Sequence, residues 1–167
     1  RVLPWLAKDP AAEELLDLFR AGEDVYIHEA AGIYSVSVTD LKARVKAKDK
    51  VAEDMRQAGK VAILALGFGG ANGALGSMAR NYGLVLDDAT QTFIVQAWRR
   101  KNAWAPRFWK KLMAAIEAAV ENPGVSFGAG RVSYIFDKRT LGGCLYCFLP
   151  SGRFIAYPEA RFAEVER

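Results

Sequence analysis

The hydrophobic pattern of this 167-residue chain changes its period near residue 124, and this change limits the possible fold more than any other feature. Before it, apolar residues recur three and four positions apart, as in Ala12, Leu15, Leu16 and Phe19, which is the spacing of one helix face. After it, apolar residues alternate, as in Val132, Tyr134 and Phe136, which is the pattern of a strand. We therefore predict an α+β fold. It has about five to six helices in 1–124 and an antiparallel sheet of three to four strands in 125–167, forming one compact unit.

Start and stop signals divide the helical region. Gly22 is placed to end the first helix, and the dipeptide Asp87-Asp88 can cap a long helix that contains Trp98. Pro106 should divide that region, and Asn122-Pro123-Gly124 should end the last helix. The predicted helices between these signals span Asp24–Tyr34, residues 51–69 and Ala74–Arg80.

The predicted helix near 51–69 carries two cations, an aliphatic residue and an aromatic residue four positions apart. Arg56, Lys60, Leu64 and Phe68 would lie above one another on a single stripe, and Gly69 follows. A guanidinium offers two parallel hydrogen bonds to phosphate, whereas an ammonium acts as a point charge. The pattern indicates a device for holding a nucleotide, although cations at this spacing also occur on helix faces that only meet water.

At these residues the chain resembles motif B, the fingers helix of family A DNA polymerases, the DNA polymerase I family. The motif is Arg, three residues, Lys, then an aromatic and Tyr-Gly. Arg56, Lys60 and Gly69 match it, and Phe68 matches it as an aromatic residue, although the family usually has Tyr there. Leu64 stands where the family usually has Phe or Tyr. The segment from Gly22 to Tyr26 is similar to Gly-Glu-Asp-Ile-His, with Tyr26 at the place of a phosphate-contacting His.

Further segments extend the resemblance to nearly the whole chain. Residues 1–7 look like the tail of motif A, and residues 95–109 and 149–158 look like the phage and prophage branch of the family. No motif C is present. The resemblance therefore implies a fragment from the end of motif A through motif B, with the metal-binding carboxylates of the complete enzyme before residue 1 and after residue 167.

The resemblance implies the fingers portion of a template-directed DNA polymerase, a nucleotidyltransferase acting in DNA replication or repair. Its partners would be the DNA primer-template, deoxynucleoside triphosphates and the missing palm and thumb, with Mg²⁺ bound by the complete enzyme and no cofactor in this chain. Substrate-binding residues would be Tyr26, Arg56, Lys60, Leu64, Phe68 and Gly69, with Lys60 also the catalytic proton donor to pyrophosphate. By itself the chain would be inactive. The alternatives are a non-catalytic nucleic-acid-binding module and an inactive prophage remnant.

Charge and composition are compatible with these interpretations but do not select among them. The net charge is +4, and residues 42–50 contain five basic residues, which we expect to face water rather than DNA. No apolar run reaches the roughly 20 residues of a membrane span, so we expect a soluble protein. Two cysteines cannot make a disulfide framework, so we expect a cytoplasmic protein, and we also expect it to be monomeric.

Two rival motifs fail on spacing. Gly67 and Gly69 would need a third glycine where Asn72 stands to form a dinucleotide-binding loop, and no glycine precedes a Lys-Ser or Lys-Thr pair as in a P-loop. Cys144 and Cys147 have the spacing of half a zinc site, but they would point to opposite faces of a strand, so we predict that they pack structurally.

Overall fold

The computed structural model describes residues 1–140 and 142–163. Within this part of the chain, eight helices precede a four-stranded antiparallel sheet, which confirms the predicted α+β class. The helices are α1 (Val2–Ala7), α2 (Pro10–Arg20), α3 (Val25–Tyr34), α4 (Val38–Lys46), α5 (Lys50–Leu66), α6 (Asn72–Asn81), α7 (Asp88–Lys101) and α8 (Trp104–Glu121). The strands are β1 (Phe127–Ala129), β2 (Val132–Asp137), β3 (Cys144–Phe148) and β4 (Phe154–Pro158).

The predicted helix count of five to six is too low, because α1 and α4 were not recognised. α4 lies in the basic run, where charge obscures the apolar period, yet its capping signals are present in the sequence. The Ser37 hydroxyl accepts from the Asp40 amide at its start, and Arg44 and Lys46 occupy its last turn. As expected, the basic side chains of this run are mainly exposed, and several pair with nearby carboxylates, as Arg44 does with Asp49.

Other helix boundaries follow the local chemistry. Asp87 caps α7 through the amide of Thr90, and Gly22 follows α2 with a φ of 70°. The break before α8 falls at Asn102 rather than at Pro106, which lies in the first turn of α8, where proline costs no backbone hydrogen bond.

The chain divides into two compact units. The first comprises Arg1 and Pro10–Pro106, and the second comprises Val2–Asp9 and the chain from Arg107 onward. The boundary between the units does not coincide with the change from helices to strands near residue 124. The part of α8 from Arg107 onward belongs to the same unit as the sheet. Among the described helices, none combines the length and apolar composition that a bilayer crossing would need.

The core of the first unit forms where α3, α4 and α5 meet. Buried Ile27, Ala30, Ala31, Leu41 and Ala52 make up this cluster. α3 approaches α5 closely because Gly59 has no side chain: a Cβ there would lie 2.5 Å from the Tyr26 carbonyl oxygen and 2.8 Å from the Ala30 nitrogen. The structure thus explains a glycine inside a helix as a requirement of packing.

A buried charged group fixes α3 to α7. Glu29 has 0% relative exposure, and its two carboxylate oxygens accept from Lys101 Nζ at 2.9 Å and Asn102 Nδ2 at 2.7 Å. The stem of Lys101 lies where a side chain at Gly32 would be. Because a buried charge must be neutralised and hydrogen-bonded, this network specifies how the two helices pair.

In the second unit, the strands follow one another in the order β1-β2-β3-β4. Val132, Tyr134 and Phe136 of β2 are buried, as the alternation predicts. α1 is tied to the turn between β1 and β2, where the Arg131 amide donates to the Leu6 carbonyl at 2.8 Å. Cys144 and Cys147 are buried free thiols, and their spacing on β3 places them on opposite faces, as predicted.

Candidate functional site

The first unit brings together three of the predicted site residues, namely Tyr26, Arg56 and Lys60. Tyr26 lies in the first turn of α3, and the two cations lie one turn apart on α5. The Tyr26 ring centroid is 5.5 Å from Arg56 Cζ and 5.9 Å from Lys60 Nζ. Both distances are within the range of cation–π attraction, so an aromatic side chain from another helix helps to hold the two cations.

Asp24 orients the guanidinium of Arg56. One of its carboxylate oxygens accepts from the amides of Tyr26 and Ile27 and so caps α3, while the other accepts from Arg56 Nε at 2.8 Å. Both side chains are about one-third exposed, at 33% for Arg56 and 30% for Asp24. Within the described residues no hydrogen bond of the terminal Arg56 nitrogens is seen, so they are available to a ligand.

Tyr82 is a neighbour of the site that the sequence analysis missed. It ends α6, and its ring centroid lies 4.4 Å from Lys60 Nζ, closer than that of Tyr26. The Lys60 ammonium therefore has an aromatic ring from α3 and another from α6 within cation–π range. No spacing in the sequence indicates this contact, because Tyr82 is brought to Lys60 only by the packing of α6 on α5.

The remaining predicted residues lie toward or beyond the end of α5. Leu64 is half-buried on the next turn, but α5 ends at Leu66, so Phe68 does not continue the helical stripe as predicted. Phe68 lies in the following turn and is 85% exposed, and Gly69 has a φ of 83°. The helix ends early because the glycines after Leu66 favour a turn over another helical residue.

A second missed residue, Arg99 of α7, holds this turn in place. Its Nη2 donates to the Gly70 carbonyl at 3.1 Å, and Asn72 Nδ2 donates to Thr92 Oγ1 at 2.7 Å beside it. Gly70 itself has no room for a side chain, because a Cβ there would collide with the Ala65 carbonyl. The turn that presents Phe68 is therefore fixed to α7 on one side.

The start of α5 is anchored electrostatically. The Asp49 carboxylate accepts from the amides of Val51 and Ala52 and from Arg44 Nε at 2.9 Å. The hydrogen bond from Arg44, followed by that from the Ala52 amide, lowers the pKa of Asp49 below its ordinary value. An ionised carboxylate at a helix N-terminus favours the helix, so α5 is stabilised at the end opposite Phe68.

The site has cationic donors but lacks a set of ligands for a metal ion. The carboxylate at the site is that of Asp24, which already accepts hydrogen bonds from Arg56 and from backbone amides at the start of α3. Across residues 1–140 and 142–163, no cluster of three or more His, Cys, Asp or Glu side chains could hold a metal. These donors fit an anionic ligand such as a phosphate chain rather than Mg²⁺.

Comparison with known proteins shows that the chain is similar to part of one bacteriophage DNA polymerase. It is 34% identical over 169 aligned residues to the DNA polymerase of Bacillus phage SP02, and the alignment includes 100% of this chain. The chain spans 23% of the length of that relative. No protein-family model matches the chain. No solved structure matches it either. The chain is thus a distant homologue of a segment of a phage DNA polymerase.

Proposed function

We propose that this chain is the fingers portion of a family A, template-directed DNA polymerase and that it binds the incoming deoxynucleoside triphosphate. One observation carries the proposal: Arg56 and Lys60 lie together beside Tyr26, with the Arg56 Nε held by Asp24. These are the residues that the polymerase resemblance assigns to the triphosphate. The similarity to part of a phage DNA polymerase supports a role in DNA synthesis.

The arrangement suits recognition of a polyphosphate because it presents fixed cations to a charged, flexible ligand. Asp24 holds Nε, so the terminal Arg56 nitrogens can donate to two phosphate oxygens without a search over rotamers. The Lys60 ammonium would neutralise another phosphate, and the rings of Tyr26 and Tyr82 would limit its motion. Phosphoryl transfer relies mainly on such positioning and charge neutralisation.

Lys60 would also act as the proton donor. As the primer hydroxyl attacks and the bond to pyrophosphate breaks, the ammonium would transfer one proton to the leaving oxygen and become a neutral amine. Leu64 would contact the sugar, and Phe68 with Gly69 would contact the template or the nascent base pair. The residues that the structure describes offer no set of ligands for Mg²⁺, so the metal ligands of the complete enzyme are expected in the palm.

Steady-state primer extension by a complete polymerase that carries this segment tests the proposal. We expect Lys60→Gln to lower kcat by roughly 10²–10⁴-fold, the usual contribution of a general acid. Arg56→Gln should lower kcat/KM for the nucleotide by roughly 10- to 150-fold, the value of a hydrogen bond to a charged group. Lys50→Gln is the matched control, because Lys50 lies on the same helix, is 80% exposed and pairs with Asp54.

The control variant should retain normal kinetics. Normal extension by a variant in which both Arg56 and Lys60 are neutralised would refute the proposal. No extension by the unsubstituted protein would favour a non-catalytic nucleic-acid-binding module or an inactive prophage remnant. Direct titration of the 167-residue chain with a deoxynucleoside triphosphate provides a second measurement, since binding should weaken in the Arg56 and Lys60 variants and not in Lys50→Gln.

A further inference from the structure

The sheet of the second unit has an aromatic cluster on one face. It consists of Tyr146 and Phe148 of β3 and Phe154 of β4. The ring centroids are 6.4 Å apart for Tyr146 and Phe148, 5.3 Å for Tyr146 and Phe154, and 5.9 Å for Phe148 and Phe154. We call these three residues the aromatic platform.

The platform shares its face of the sheet with buried Cys144, which lies at the other end of β3. Tyr146 and Phe148 are two positions apart on β3 and project to one side, and Phe154, which pairs with Phe148, projects to the same side. Buried Tyr134, Leu145 and Cys147 project to the other side. Phe154 is 56% exposed, and Tyr146 and Phe148 are half-buried against their neighbours. Aromatic faces therefore remain available to a ligand, and three rings are enough to receive more than one base.

The charge around the platform is strongly one-sided. Between Asn122 and Pro158 the sequence contains four basic residues and one acidic residue, Asp137. The carboxylate of Asp137 is engaged in its own turn, where it accepts from Thr140 Oγ1 at 2.7 Å and from the Arg139 amide at 2.9 Å. Lys138 and Arg139 are exposed at this end of the sheet, and the next acidic residue in the chain is Glu159, just past β4.

The other end of the sheet is basic without acidic residues in its turns. Arg131 immediately precedes β2 and Arg153 immediately precedes β4. Both strands are antiparallel to β3, so they run in the same direction and place these two cations at the Phe148–Phe154 end. Arg131 is held by the Trp5 carbonyl at 3.0 Å and lies 4.9 Å from the Trp5 ring centroid, whereas Arg153 is exposed.

We propose that the aromatic platform binds single-stranded DNA, with bases stacked on Phe154 and Phe148 and a backbone phosphate paired with Arg153. Stacking needs an exposed π-face and a cation for the backbone, and the exposed ring of Phe154 and the exposed side chain of Arg153, its neighbour in the chain, supply one of each. A duplex keeps its base faces covered, so it cannot use the platform. An apolar polypeptide would fit the rings but would leave the excess of cations without partners. The platform uses none of the residues proposed for the nucleotide site around Arg56, so this proposal does not rest on that one.

Fluorescence anisotropy of a labelled oligothymidylate, measured with the 167-residue chain at several salt concentrations, tests the proposal. Phe154→Leu keeps an apolar side chain but removes the π-face, and we expect it to weaken binding roughly 5- to 150-fold. Phe154→Trp should restore or exceed the original affinity. Ile155→Ala is the matched control, because Ile155 is adjacent on β4, is 45% exposed and projects to the opposite face.

Salt dependence tests the phosphate contact independently. Arg153→Gln should reduce the slope of log K against log salt by about 0.7, the value for one phosphate of a single strand, while Lys50→Gln should leave it unchanged. Thermal unfolding followed by circular dichroism identifies any variant that fails to fold. If Phe154→Leu fails to fold, the oligonucleotide affinity of Phe154→Trp, compared with that of the original chain, tests the proposal instead.

Four outcomes would overturn the proposal. Two concern the original chain, namely no measurable binding of the oligonucleotide and equal affinity for duplex DNA. The other two are an unchanged affinity of Phe154→Leu and a weaker affinity of Phe154→Trp. Phe154→Leu should leave deoxynucleoside triphosphate binding unchanged, because Phe154 is not among the residues proposed for the nucleotide site. Failure of this proposal is therefore distinguishable from failure of the nucleotide site.

Discussion

Replacement of Gly59 by alanine should weaken the first unit, even though alanine is the better helix former. A Cβ at this position would lie 2.5 Å from the Tyr26 carbonyl oxygen, whereas ordinary contact begins at 3.4 Å. The backbone of α3 would have to retreat by about 0.9 Å, the difference between these two distances, because a backbone atom cannot move away by a rotamer change. Such overpacking costs about 1–3 kcal/mol.

The opposing gain is helix propensity, which favours alanine over glycine by about 1 kcal/mol. Two backbone atoms, the Tyr26 oxygen and the Ala30 nitrogen, are both closer than 3.0 Å, so we place the overpacking cost in the upper half of its range. The expected net loss in the free energy of unfolding is about 1–2 kcal/mol. The same shift would move the Tyr26 ring away from Arg56 and Lys60.

Gly73 provides the matched comparison. It also lies in a helix, α6, but a Cβ there would meet nothing within 4 Å. Gly73→Ala should therefore stabilise the protein by about 0.5–1 kcal/mol. Urea denaturation of both variants measures the two effects, which should have opposite signs at an unchanged m value. Equal stabilisation by the two substitutions would refute the argument that Gly59 is required by the contact between α3 and α5.

Three further predictions concern charge and the nucleotide site. Glu29→Gln should lower the free energy of unfolding by about 3 kcal/mol, because it leaves the Lys101 ammonium without its counter-charge, and adding Lys101→Gln should recover part of that loss in the same denaturation assay. The lowered pKa of Asp49 means that its contribution to stability is present at neutral pH and is lost as the pH falls through its folded-state pKa. Asp49→Asn should therefore flatten the acid side of the stability profile, and an unchanged profile would contradict the role of the Arg44 hydrogen bond. Leu64→Tyr in a complete polymerase should change the ratio of kcat/KM for deoxy and dideoxy nucleotides, and a constant ratio in primer extension would remove the proposed sugar contact.

Much of the local structure was readable from the sequence because its causes are local. The alternation of Val132, Tyr134 and Phe136 predicts β2, and Asp24 and Asp87 cap α3 and α7 with their own side chains. Where charged residues hid the apolar period, as in α4, the prediction failed although Ser37 supplied the cap. The end of α5 at Leu66 was also misjudged, since several glycines in succession leave the last helical residue undetermined.

The sequence by itself determined the class of fold and the placement of Arg56 and Lys60 one turn apart on α5, because periodicity, caps and i, i+4 spacing act within a few residues. Only the tertiary structure decided that Asp24 holds Arg56, that Tyr82 lies against Lys60, and that Arg99 fastens the turn at Gly70. These partners are separated from one another by 22 to 32 positions in the chain. Contacts of that range depend on how closely helices approach, and here that approach is set by glycines without side chains and by one buried carboxylate.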